Sequence, residues 1–156
     1  MAGRIEARLQ ELGISLPQPV PAMANYRTWQ RTGNLVYVSG MIPLKCKAPT
    51  YCGQLGGTIS SEEGIMAARL CGLNLIGQVR EACDGDLDRV VKVVKLTGMV
   101  NSTPHFREQH KIMNGCSDLM VEVFGEDIGR HARAAFGCAS LPFGAAVEAD
   151  GIFEVK

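Results

Sequence analysis

Arg133 and Glu148 are the two residues whose type and setting could do chemistry. Both lie in HARAAFGCASLPFGAAVEAD, residues 131–150, where two apolar runs are joined by Leu141-Pro142-Phe143-Gly144. A guanidinium among alanines is costly to desolvate unless an anion meets it. Its planar fork of donors matches a carboxylate bidentately. Alanine and glycine leave room beside a strand for a ligand or another backbone. The segment therefore suggests a small pocket for a small anion, with a carboxylate of its own nearby. A plainer reading fits the same pattern: an Arg133–Glu148 ion pair holding two strands together.

Other reactive side chains form no comparable set. His105, His110 and His131 are not spaced as metal ligands, although His131 shares a strand face with Arg133. Cys46 and Cys52 bracket a loop at a wider spacing than the CxxC of zinc or redox sites; a disulfide between them is a lesser alternative. Cys71, Cys83, Cys116 and Cys138 lie in apolar periodic segments, where a thiol acts as a small hydrophobe. No metal or cofactor is expected.

The elements that must position these residues fit one domain, residues 1–156, with an N-terminal helix and Pro-rich lead-in over 1–24 and a core over 25–156. Sixteen basic and sixteen acidic residues give zero net charge, and 46% of the chain is hydrophobic. No basic block marks a nucleic-acid partner. The amphipathic N-terminus lacks the apolar core of a signal peptide, and no run is long enough for a membrane span. A cytoplasmic protein with reduced thiols is the expectation.

Ile5, Leu9 and Leu12 have helical spacing, with Gly13 as a stop. Pro17, Pro19 and Pro21 then enforce an extended connection. Residues 25–31 and 35–40 flank Thr32-Gly33-Asn34 as a β-hairpin, and Gly40 permits a bulge or a close approach. Residues 41–58 read as a long loop, functional or mobile. Ser60 or Ser61, followed by Glu62 and Glu63, caps a long helix with Ile65, Ala68, Gly72, Ile76, Val79 and Cys83 on one stripe. Residues 87–100 read as a strand covered on both faces. Thr103-Pro104 begins a second helix with the stripe Ile112, Cys116, Met120 and Val123. Residues 129–139 and 145–155 are the last strands. The order predicts an α+β two-layer domain, a mixed sheet with two helices on one face.

Several motifs, in order, resemble the RidA/YjgF family, the reactive-intermediate deaminases also called L-PSP endoribonuclease-like proteins. They are Tyr26, thirteen residues ahead of Ser39; Val38-Ser39-Gly40 with Ile42-Pro43; Gly85-Asp86-Leu87-Asp88 with Val90-Val91; Asn114; and Ala132-Arg133-Ala134-Ala135 with Leu141-Pro142 and Val147-Glu148. The resemblance implies a chorismate-mutase-like fold and a homotrimer, with sheets packed into a barrel-like core and sites in the clefts between subunits. It implies hydrolysis of 2-enamine or 2-imine acids to 2-keto acids and ammonia, without metal or cofactor. Arg133 would grip the substrate carboxylate and Glu148 would orient or activate the attacking water. Tyr26, Ser39, Gly40 and Asn114 would line the cleft, and the carbonyl of Ala135 would hold the substrate nitrogen or water. Three departures mark a divergent branch. Met41 stands where a polar residue is usual, and Ala135 stands where a cysteine is frequent. The 45–57 loop and the region after Asn114 are longer. These departures leave room for a non-catalytic trimer that binds a small carboxylate or a protein client. Neutral charge disfavours RNA cleavage.

Overall fold

The computed structural model describes residues 3–156. Helix α1 (Arg4–Glu11) buries Ile5 and Leu9 and ends at Gly13, whose φ is +66°. The lead-in runs without regular structure to the hairpin of β1 (Trp29–Thr32) and β2 (Leu35–Met41), which pair Thr32 with Leu35 across Gly33-Asn34. The register of β2 shifts between Val38 and Met41, so Gly40 does lie in a bulge.

Residues 41–58 are more ordered than a plain loop. They contain the two-residue strands β3 (Leu44–Lys45) and β4 (Ala48–Pro49). Leu55 bonds through its N–H to the Asn101 carbonyl and through its carbonyl to the Thr103 N–H. Those bonds hold residues 102–103 out of helix, so the second long helix begins later than Thr103-Pro104 suggests. The first long helix, α2 (Ser61–Ala82), opens on a capping box: the Ser60 hydroxyl accepts from the Glu63 N–H while the Glu63 carboxylate accepts from the Ser60 N–H.

A 3-10 turn (Leu87–Arg89) precedes the long strand β5 (Val90–Asn101). The helix α3 (Gln109–Phe124) closes at Gly125, where φ is +83°. The predicted α3 stripe is buried throughout; on α2, Ile65 at the first turn is partly exposed. The two helices touch closely at Gly115, where a Cβ would overlap the Ile65 carbonyl. A short helix, α4 (Glu126–Gly129), follows and delays the edge strand β6 (Ala132–Cys138); a turn at Pro142–Gly144 leads to β7 (Val147–Val155).

The five-stranded sheet has the order β1-β2-β7-β5-β6, with β5 and β6 parallel and the other pairs antiparallel. Along β7, Val147, Ala149, Phe153 and Val155 are buried in the core shared with α2 and α3. By the two-residue period of a strand, Glu148, Asp150, Ile152 and Glu154 occupy the opposite face, which neither long helix covers. Tyr37 pairs with Ile152, and Phe136 pairs with Met99, on that same open face; both aromatics are exposed. The chain is thus an α+β two-layer domain with one bare sheet face. No helix among the described residues is long and apolar enough to cross a membrane.

Candidate functional site

Arg133 and Glu148 do not meet. β5 lies between their strands, so neighbours in sequence are separated in the sheet. Arg133 is in register with the fully buried Leu96, on the helix side, whereas Glu148 is in register with Met99, on the open side. Side chains in register share a face of the sheet, which puts these two on opposite faces. The ion pair allowed by the sequence is therefore absent.

Arg133 reaches off the edge strand onto α3. One Nη donates to Asn114 Oδ1 at 2.9 Å and to Ser117 Oγ at 3.1 Å, and the other donates to the His110 carbonyl at 3.2 Å. All three acceptors are neutral. The Ser117 hydroxyl is also 2.9 Å from His131 Nε2, and His131 Nδ1 is 2.7 Å from the Gly129 carbonyl. With Nδ1–H donating to that carbonyl, Nε2 is the acceptor for the serine hydroxyl. Burial, with Arg133 adding to it, holds the His131 pKa below its usual value and favours that neutral form. The guanidinium lies in an open concavity of about 500 Å³ with Ser117, Asp118 and His131. Of the acids around it, Glu122 is engaged with Arg69 and Glu126 with Arg130, while Asp118 lines the same concavity without an ion pair to Arg133.

Glu148 lies on the floor of a different concavity, of about 380 Å³, together with Tyr26 and Gly40. The close approach foreseen at Gly40 is made by this carboxylate: a Cβ on Gly40 would overlap Glu148 Oε1. Burial first, and the neighbouring Asp150 second, push the Glu148 carboxyl above the usual carboxylate range. The Cys138 thiol feels the same charge; burial and then Glu148 raise its pKa. Glu148 makes no ion pair or hydrogen bond among the described residues.

The remaining candidates divide between these two places. Asn114 belongs with Arg133, as its acceptor. Ala135, half-buried in register with Gly98, is on the same edge strand and face as Arg133. Ser39 is adjacent to Gly40, but its hydroxyl donates to the Arg27 carbonyl at 2.7 Å and it does not line the concavity. Ser117, Lys47, Met23 and Phe143 were missed. Phe143 and Lys47 carried no usable signal: both have positive φ without being glycine. No cluster of three His, Cys, Asp or Glu side chains among the described residues is placed to hold a metal ion, and Cys46 and Cys52 are free.

An α+β sheet with two long helices on one face and a glycine-seated carboxylate on the other belongs to a recognisable class. The chain is a member of the family described as "YjgF/chorismate_mutase-like, putative endoribonuclease", whose model matches residues 6–148. It is 48% identical over 155 residues to Protein TCP17 of Trypanosoma cruzi, covering 99% of this chain and 96% of that one. Among solved structures, the protein Atu1372 of Agrobacterium tumefaciens is 46% identical, covers 97% of this chain and 92% of its own, and superposes with a TM-score of 0.91. RidA of an Antarctic Psychrobacter is 21% identical, with coverages of 88% and 94% and a TM-score of 0.56. That last likeness is one of fold.

Proposed function

We propose that the protein hydrolyses small reactive 2-enamine or 2-imine acids to 2-keto acids and ammonia, in clefts between the subunits of a homotrimer. The observation that carries this reading is a pair of uncompensated charges. Arg133 is fixed by three neutral acceptors and pairs with no carboxylate, while Glu148 is half-buried and pairs with no cation. Each is one half of a site for a polar substrate, and they lie on opposite faces of one sheet. A second copy, seated on the bare face with Tyr37, Ile152 and Phe136, would bring one copy's Arg133 edge toward another's Glu148 floor.

The chemistry asks little of the protein. The imine carbon is already electrophilic, and positioning plus a placed water supplies most of the acceleration. The substrate carboxylate lies on the Arg133 fork. Glu148, its pKa raised by burial and by Asp150, takes a proton from water as the oxygen bonds to the imine carbon. The nitrogen takes that proton back from Glu148; the adduct's hydroxyl proton then follows by way of the same carboxylate, and as the C–N bond breaks ammonia leaves and the oxygen closes to C=O. Water and imine give ketone and ammonia, with no redox change.

The test is keto-acid release from a 2-imino acid generated in place by an amino-acid oxidase, with wild type beside Arg133→Ala. Acceleration by wild type alone supports the reading. Equal turnover by the variant, with its assembly intact, removes Arg133 as the carboxylate clamp. No acceleration over several side chains leaves the second reading, a trimer that binds a small carboxylate without turning it over. Met41 and Ala135, at positions where the family usually carries polar or thiol groups, favour that alternative.

A further inference from the structure

The concavity over Glu148 has a composition that a site for a purely polar substrate would not need. Its walls include Val20 and Met23 from the lead-in, Leu44 from β3, Met41 from β2, and Phe143 from the turn before β7. Two of these walls are hung on α2 by buried polar side chains. Gln78, 1% exposed, donates through Nε2 to the Val20 carbonyl at 3.1 Å, and Asn74, 5% exposed, donates through Nδ2 to the Leu44 carbonyl at 3.1 Å. Gly77 lets the lead-in lie close, since a Cβ there would be 3.0 Å from the Pro17 carbonyl. The walls are thus preformed, and a ligand need not pay for ordering them. Phe143 completes the mouth at a φ of +59°, with 60% of its surface exposed. A strained, exposed aromatic costs stability where it serves only packing, and such strain gathers at ligand sites.

We propose that this apolar concavity receives the side chain of the substrate and selects a bulky apolar one, branched aliphatic or aromatic, over a methyl group. Met23 and Phe143 are specificity-determining residues. The inference rests on the reading of Glu148 as the group that handles water. Lys47 also lines this concavity, but only Arg133 offers the two-pronged fork that matches a carboxylate, and like charge disfavours a carboxylate on the Glu148 floor, so the carboxylate points to the Arg133 half. The carbon substituent then turns into the walls. About 380 Å³ is far more than a methyl group fills. Each additional buried methylene favours binding about fourfold.

The experiment uses stable 2-keto acids as binding probes and oxidase-generated imines as substrates, on the whole protein. Calorimetry should show 4-methyl-2-oxopentanoate and phenylpyruvate binding at least about tenfold more tightly than pyruvate. Turnover of the leucine- and phenylalanine-derived imines should exceed that of the alanine-derived imine by a similar factor. Phe143→Ala and Met23→Ala, both at exposed positions, should each narrow the ratio about threefold, in keeping with partial loss of one wall. Equal binding of all three acids, or a ratio untouched by both variants, overturns the inference. Turnover without side-chain preference overturns it while leaving the deaminase reading standing. Preference in binding without turnover of any imine supports the pocket and sinks the deaminase reading. Neither binding nor turnover overturns both.

Discussion

The two halves of the candidate site are built on opposite terms. Around Arg133 the charge is exposed, the partners are polar and neutral, and the support is a chain of hydrogen bonds running through Ser117 to His131 and the Gly129 carbonyl. Around Glu148 the charge is half-buried, the walls are mainly apolar with Lys47 among them, and the support is a glycine with no room for a Cβ. One half orients a cation without cancelling it; the other withholds water from an acid. An anion clamp needs its charge intact, and a carboxylate that is to accept a proton needs its pKa lifted. On the proposed reading, the difference separates two roles that one environment could not serve together.

The sharpest way to break the comparison is to separate the halves genetically. Arg133→Ala and Glu148→Gln should each be inactive, yet co-assembled in equal amounts they should recover activity. If each cleft joins the Arg133 of one copy to the Glu148 of another, about one quarter of the clefts in random trimers are intact. A mixture as inactive as its parents would put both residues in a site within one subunit. Gly40→Ala attacks the floor alone. The added methyl must displace the Glu148 carboxylate, and turnover should fall about a hundredfold, the scale of a misplaced general base. The Arg133 half is untouched, so kcat should carry most of the loss.

Ser117→Ala attacks the other half more gently. Arg133 keeps Asn114 and the His110 carbonyl but loses one acceptor, a change of about 1 kcal/mol. KM should rise roughly fivefold with a smaller change in kcat; a loss mainly in kcat would mean that Ser117 touches the reacting atoms. The smallest effect is thermodynamic. The Glu148 pKa is raised in the folded protein, so the folded state binds a proton more readily than the unfolded one. The stability tied to this carboxyl is fully present below its ordinary value of 4.5 and is lost as pH rises through the raised folded value. Glu148→Gln should therefore melt at a higher temperature than wild type at neutral pH, with the gap closing in acid. A variant no more stable at neutral pH would mean that a cation reaches Glu148 in the assembled protein.

What the sequence revealed, and what it hid, follows from how local each signal is. The hairpin turn at Gly33-Asn34, the capping box at Ser60 and the helical stripes are written within a few residues of one another. Gly40 signalled a close approach, though not what approaches. The start of α3 was obscured because Thr103-Pro104 carries helix-opening chemistry while the backbone there is engaged by Leu55. The strands at 44–49 were hidden because Cys46 and Lys47 adopt left-handed conformations that no glycine announces. The candidate residues were legible as types, Arg133 and Glu148 above all. Their placement on opposite faces was not, because it depends on β5 passing between two strands that are adjacent in the chain.

Asn74 and Gln78 occupy successive turns of α2, and each holds one wall of the pocket by a backbone carbonyl. A backbone carbonyl is the same whatever side chain its residue bears. Mutation can therefore rewrite Val20, Met23 or Leu44 without loosening the strap that presents them and without disturbing the strands beneath Glu148. On the proposed reading, such an arrangement lets descent alter which side chain the pocket takes while the chemistry at Glu148 is inherited unchanged.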